Sequence, residues 1–113
     1  MSRDSLYLQH ILDAIDRIEQ YVAVGHERFI AETVWQDAVI RQLEIIGEAT
    51  KRLSPDLRAR HPEIAWRGMA GSWDRLVHDY MGVDLDFVWG VAQERLPEVK
   101  RGIEAILSEE KRV

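Results

Sequence analysis

The chain has 113 residues, 46% of them hydrophobic, and no cysteine. One compact domain over residues 1–113 with its own core is expected, and disulfide frameworks and thiolate metal sites are excluded. A formal net charge of −5 argues against indiscriminate binding to nucleic acid or an anionic membrane. No apolar run approaches the roughly 20 residues that span a bilayer. The stretch Met1–His10 is too polar for a secretory signal, so the expected location is cytoplasmic.

Apolar residues recur at helical steps almost throughout, and no stretch alternates long enough for a strand. Leu8, Ile11, Leu12, Ile15, Ile18 and Val22 mark a first helix from about Asp4 to Val22, with Gly25 as its stop. A second helix is expected over 27–53. Its stripe of Trp35, Val39, Leu43, Ile46 and Leu53 lies beside another of Val34, Ala38, Ile45 and Ala49. A helix apolar over so wide an arc must be covered on two sides, either as the centre of a bundle or against a second subunit. Gly47, unfavourable within a helix, reads as a point of close helix approach.

Ser54-Pro55 is a cap followed by proline at the first helical position, so a short helix starts there and ends at His61-Pro62. The next helix is expected from Ala65 to Met81, closed by Gly82. Trp66, Met69, Ala70, Trp73, Leu76, Val77 and Tyr80 form its apolar stripe, whereas Arg67, Gly71, Asp74, Arg75 and His78 fall on a different face. Asp84 caps a last helical region through Ile106, which Pro97 should kink or divide. The expected fold is all-α, a bundle of four or five helices.

The candidate chemistry lies in Arg75–Asp84, R-L-V-H-D-Y-M-G-V-D. His78 titrates near neutral pH. Asp74, one turn back, can orient its imidazole and favour the protonated form; a plain surface Asp–His pair has the same spacing. Tyr80 belongs to the apolar stripe, which reads as core with the hydroxyl at its edge. His10, His26 and His61 are scattered without metal-ligand spacing, and no phosphate loop or nucleophile elbow occurs. The four tryptophans read as core anchors. Between residues 51 and 78, Lys51, Arg52, Arg58, Arg60, Arg67 and Arg75 face only Asp56, Glu63 and Asp74, so this stretch carries +3 and the remainder −8. Either a basic surface or an ordinary solvated mixed-charge face would account for it.

Three segments taken in order resemble the HepT-like HEPN-domain toxins: Q-D-A-V-I-R-Q-L-E-I-I-G-E-A-T-K-R-L (36–53), P-E-I-A-W-R-G-M-A-G (62–71) and R-L-V-H-D-Y-M-G-V-D-L-D-F-V-W (75–89). The resemblance covers essentially the whole chain. It implies a HEPN-type antiparallel bundle of four to five helices that forms a homodimer. It further implies a metal-independent ribonuclease without cofactor, acting on RNA with tRNA among the targets, rather than on DNA or at a membrane. The implied partner is a minimal nucleotidyltransferase (MNT) antitoxin.

In the family motif an arginine and a polar residue precede His, one spacer and Tyr. The polar position falls on Asp74, the histidine on His78 and the tyrosine on Tyr80, which the partner is implied to modify with AMP. The motif arginine falls on Trp73, and an indole cannot bind a scissile phosphate. Arg75 shares the His78 face and is the candidate to replace it. The catalytic set is therefore His78, Arg75 and Asp74. Trp73 also keeps open a second class of function, a catalytically lapsed HEPN protein acting as an adaptor for a nucleotidyltransferase.

Overall fold

Local capping chemistry sets the first helix, α1 (Arg3–Val22). Its N-cap Ser2 accepts a hydrogen bond from the Ser5 amide at 3.0 Å, satisfying one of the otherwise orphaned first-turn donors. The chain leaves α1 through Gly25, whose φ of +99° suits glycine and is strained for other residues. The computed structural model describes residues 2–72 and 84–111, and among them all regular structure is helical. As expected, α1 buries Leu8, Ile11, Leu12, Ile15, Ile18 and Val22.

The single helix expected over 27–53 is two helices, α2 (His26–Ala31) and α3 (Thr33–Lys51), separated by Glu32 in an extended conformation. The break has a visible cause. Phe29 turns wholly into the core, and the carbonyls of Phe29 and Ile30 at the end of α2 are taken up by Gln36 Nε2 at 2.9 and 3.0 Å. Glu32 itself accepts from Arg28 Nε at 2.8 Å and from Trp35 Nε1 at 3.0 Å. The Arg28 guanidinium, with the Trp35 indole N–H, holds the Glu32 carboxyl below its ordinary range.

Helix α3 packs mainly on α1, burying Val39, Leu43, Ile46 and Ala49. The helices are antiparallel, because the start of α1 meets the end of α3. There the Asp4 carboxylate accepts from the Ser54 amide at 2.9 Å and from the Ser54 hydroxyl at 2.7 Å. Ser54 then caps α4 (Pro55–Arg60), accepting from the Leu57 amide at 3.1 Å, with Pro55 in the first turn and His61 at the C-cap.

After α4 the chain buries Ile64 and Trp66 and enters a π-helical turn, Gly68–Ser72, packed on α3 with Met69 fully buried. The remainder of the helix expected to reach Met81, with its stop Gly82, lies outside the described residues.

The chain resumes at Asp84, which caps α5 (Leu85–Gly90) by accepting from the Phe87 amide at 3.1 Å. Pro97 does not divide the last helical region. A second π-helical turn, Val91–Arg95, leads directly into α6 (Leu96–Lys111), and the Leu96 amide reaches back to the Val91 carbonyl. A widened turn just before a proline relieves the clash of its ring with the preceding turn and accommodates its missing donor. Helix α6 runs antiparallel to α1: Ser5 bonds Glu110, while Lys100 bridges Asp16 and Glu19, each at 3.2 Å.

Gly47 is buried on α3. A close approach occurs at Gly102, where a Cβ would come within 2.9 Å of Ile64 Cδ1 and push that side chain aside. No helix among the described residues is long and apolar enough to cross a membrane.

Candidate functional site

Trp73, Asp74, Arg75, His78 and Tyr80 all lie outside the described residues, so the structure speaks to the frame around them. On the N-terminal side the frame is rigidly anchored. Trp66 is only 6% exposed, its Nε1 donates to the His61 carbonyl at 2.9 Å, and Met69 is fully buried. Trp66 is thus a core anchor, as its place in the apolar stripe implies. On the C-terminal side Asp84 pins the start of α5. Both ends of the intervening stretch, Trp73–Val83, are therefore held by the bundle.

Next to the N-terminal anchor is a cleft of about 390 Å³ lined by Pro55, Arg58, Trp66, Arg67, Ala70 and Gly71. Among the described residues, two guanidinium groups and no carboxylate line it. Arg58 is half-buried, and its Nε has no hydrogen-bond partner among the described residues. The neighbouring acid on α4, Asp56, is engaged by Arg60 at 3.2 Å. Residues of the locally basic stretch thus converge on one cleft whose wall, at Gly71, lies just before the motif segment in the chain. Sequence reading put Arg67 on the His78 face but did not single out Arg58; its position between a helix-starting proline and the basic run was the available signal.

The other histidines do not form a second centre. His26 Nε2 lies 3.1 Å from Asp86 and packs edge-on to Trp89, and His61 Nδ1 lies 3.4 Å from Glu63. His10 meets Tyr7 edge-on at 5.7 Å in a groove of about 330 Å³ between α1 and α3, where Glu44 and Glu48 offset Arg41 and Arg52. The three-residue Tyr7–His10 spacing was the sequence signal for that pair. No group of three His, Asp or Glu side chains suited to a metal occurs among the described residues.

The family model described as "Ribonuclease HepT-like" matches residues 11–106. This chain belongs to the HepT-like ribonuclease family. A protein of Thermococcus cleftensis named "Probable ribonuclease HepT" is 43% identical over 101 residues, covering 88% of this chain and 92% of the relative. One from Caldanaerobacter subterraneus subsp. tengcongensis, named "Putative RNase", is 37% identical over 106 residues, covering 93% and 95%. A third, from Methanocaldococcus jannaschii and of the same printed name, is 38% identical over 104 residues, covering 91% and 90%. No solved structure matches this chain at a significant level. The HepT-like match takes in the anchored turn, the basic cleft and the whole R-L-V-H-D-Y segment.

Proposed function

We propose that this chain is the RNA-cleaving toxin of a pair with an MNT-type nucleotidyltransferase, acting in the cytoplasm as a single HEPN domain. The observation that carries the reading is His78 with Asp74, Arg75 and Tyr80 at motif spacing in a chain of the HepT-like ribonuclease family. The reaction is metal-independent strand scission. A general base takes the proton of a ribose 2′-OH, and the oxygen attacks the adjacent phosphorus. The P–O5′ bond breaks, and a general acid protonates the departing 5′-oxygen, leaving a 2′,3′-cyclic phosphate. His78 moves the proton, Asp74 orients it, and Arg75 stabilises charge on the phosphate.

Two histidines are needed for simultaneous base and acid roles, and a homodimer with the His78 segments along a shared cleft supplies them. The second apolar stripe of α3 supports this assembly: Val34 is 62% exposed, and Ala38 and Ile45 are only half-buried. A monomeric mass by light scattering at micromolar concentration would remove the composite site.

Trp73 at the motif arginine position favours one other reading, the lapsed HEPN adaptor of a nucleotidyltransferase. Cleavage of total tRNA in EDTA by wild type, His78→Ala, Arg75→Ala and Trp73→Arg separates the two. For the toxin, His78→Ala abolishes cleavage and Arg75→Ala costs about 2–4 kcal/mol of transition-state stabilisation, while Trp73→Arg changes little. For the adaptor, wild type is inert and Trp73→Arg creates activity. Undiminished cleavage by His78→Ala sinks the assignment of this motif.

A further inference from the structure

We propose that Arg58 and Arg67 form a phosphate subsite for the RNA backbone outside the R-L-V-H-D-Y segment, gripping a phosphodiester next to the one cleaved. The inference rests on the reading of the chain as an RNA-cleaving protein. The cleft holding these arginines has two permanent positive charges, no lining carboxylate among the described residues, and a volume near 390 Å³, within the range of small-ligand sites. Neither guanidinium has a hydrogen-bond or ion-pair partner among the described residues. A buried donor left without an acceptor is rare in folded proteins and asks for a ligand. Arg58 Nε–H is such a donor, and it belongs to the planar fork that matches two phosphate oxygens.

The cleft is also in the right place. Gly71 forms part of its wall, with open space where a Cβ would stand, and the motif segment begins two residues later. Along the chain, the cleft therefore immediately precedes the segment that carries His78. Because Trp73 removes the motif's own guanidinium, charge from Arg58 on α4 and from Arg67, just before the π-helical turn, gives the RNA strand the hold it would otherwise lack. The α1–α3 groove is a poorer candidate for a polyanion, since Glu44 and Glu48 balance its arginines.

Two measurements on the full chain test this. In the first, the arginine Nε–Hε resonances of ¹⁵N-labelled protein are monitored during titration with dimethyl phosphate, and separately with AMP. Arg58 and Arg67 should shift and saturate while the exposed Arg101 stays still. In the second, fluorescence anisotropy reports binding of a single-stranded 2′-O-methyl RNA, which cannot be cleaved, over a range of salt. Arg58→Gln and Arg67→Gln should each weaken binding about fivefold and lower the salt slope by about 1. Arg58→Lys, which keeps the charge but not the fork, should lie between; it guards against a folding defect in Arg58→Gln, and circular dichroism checks each variant. Still Nε resonances, or wild-type RNA affinity in both Gln variants, overturn the subsite. If AMP shifts the resonances while RNA binding ignores the variants, the cleft belongs to a mononucleotide and the RNA assignment is overturned. If wild type neither binds nor cuts RNA, the ribonuclease reading fails instead. The phosphate titration then still shows whether the cleft is an anion site.

Discussion

Trp66 should be the residue on which the frame of the motif segment depends, and its energetics can be worked from its contacts. Trp66→Phe keeps an aromatic ring in the core but deletes the Nε1–H that donates to the His61 carbonyl at 2.9 Å. That carbonyl also accepts from the Ile64 amide at 3.3 Å, so it is not orphaned. The lost hydrogen bond is therefore worth about 1 kcal/mol. The smaller ring leaves a void of a few tens of Å³, roughly 1 kcal/mol more at about 24 cal/mol per Å³. The expected loss is about 2 kcal/mol for Trp66→Phe and about 3–5 kcal/mol for Trp66→Ala. With a urea slope of about 2 kcal/mol per M, the Phe variant should unfold about 1 M earlier. The assay is urea unfolding monitored by circular dichroism at fixed protomer concentration, since any association adds to apparent stability. A Trp66→Phe loss below about 0.5 kcal/mol, or one equal to Trp66→Ala, would refute the partition between ring burial and hydrogen bond.

The Glu19 and Asp16 carboxylates hold the Lys100 ammonium above its ordinary value, so its contribution to stability is complete below about pH 10.4 and is lost as pH rises through the elevated value. The stability margin of wild type over Lys100→Met should stay constant from neutral pH to about pH 10 and shrink above it. An unchanged margin at alkaline extremes, or one already gone at pH 9, contradicts the pairing. Incubation with the cognate nucleotidyltransferase, ATP and Mg²⁺ should add adenylate to this chain by intact mass, and Tyr80→Phe should eliminate the addition; persistence in that variant would show a different acceptor.

The parts of the fold legible in the sequence are those whose determinants sit within one turn of the chain. Ser54-Pro55 places α4, Gly25 ends α1, and Asp84 starts α5, because caps and left-handed glycines act through neighbouring backbone groups. The stripe of α1 translated directly into buried side chains for the same reason: helical periodicity and burial are one pattern when a helix has one covered face. The family, and with it His78, Tyr80, Asp74 and Arg75 as candidates, was legible from motif order and spacing.

Tertiary structure decided what local pattern leaves degenerate. The apolar run over 27–53 reads as one helix, yet burial of Phe29 and the capture of two α2 carbonyls by Gln36 favour a break at Glu32. Pro97 predicts a kink or a division; the structure avoids the division by widening the preceding turn, where flanking residues are already held in the core, as Val91, Ala92 and Leu96 are. Arg58 and Arg67 are nine positions apart on different elements, and no periodicity joins them. They meet because Asp4 clamps the start of α4 and Trp66 clamps the turn after it. A sequence counts charges along the chain; only packing sets which of them share a cleft.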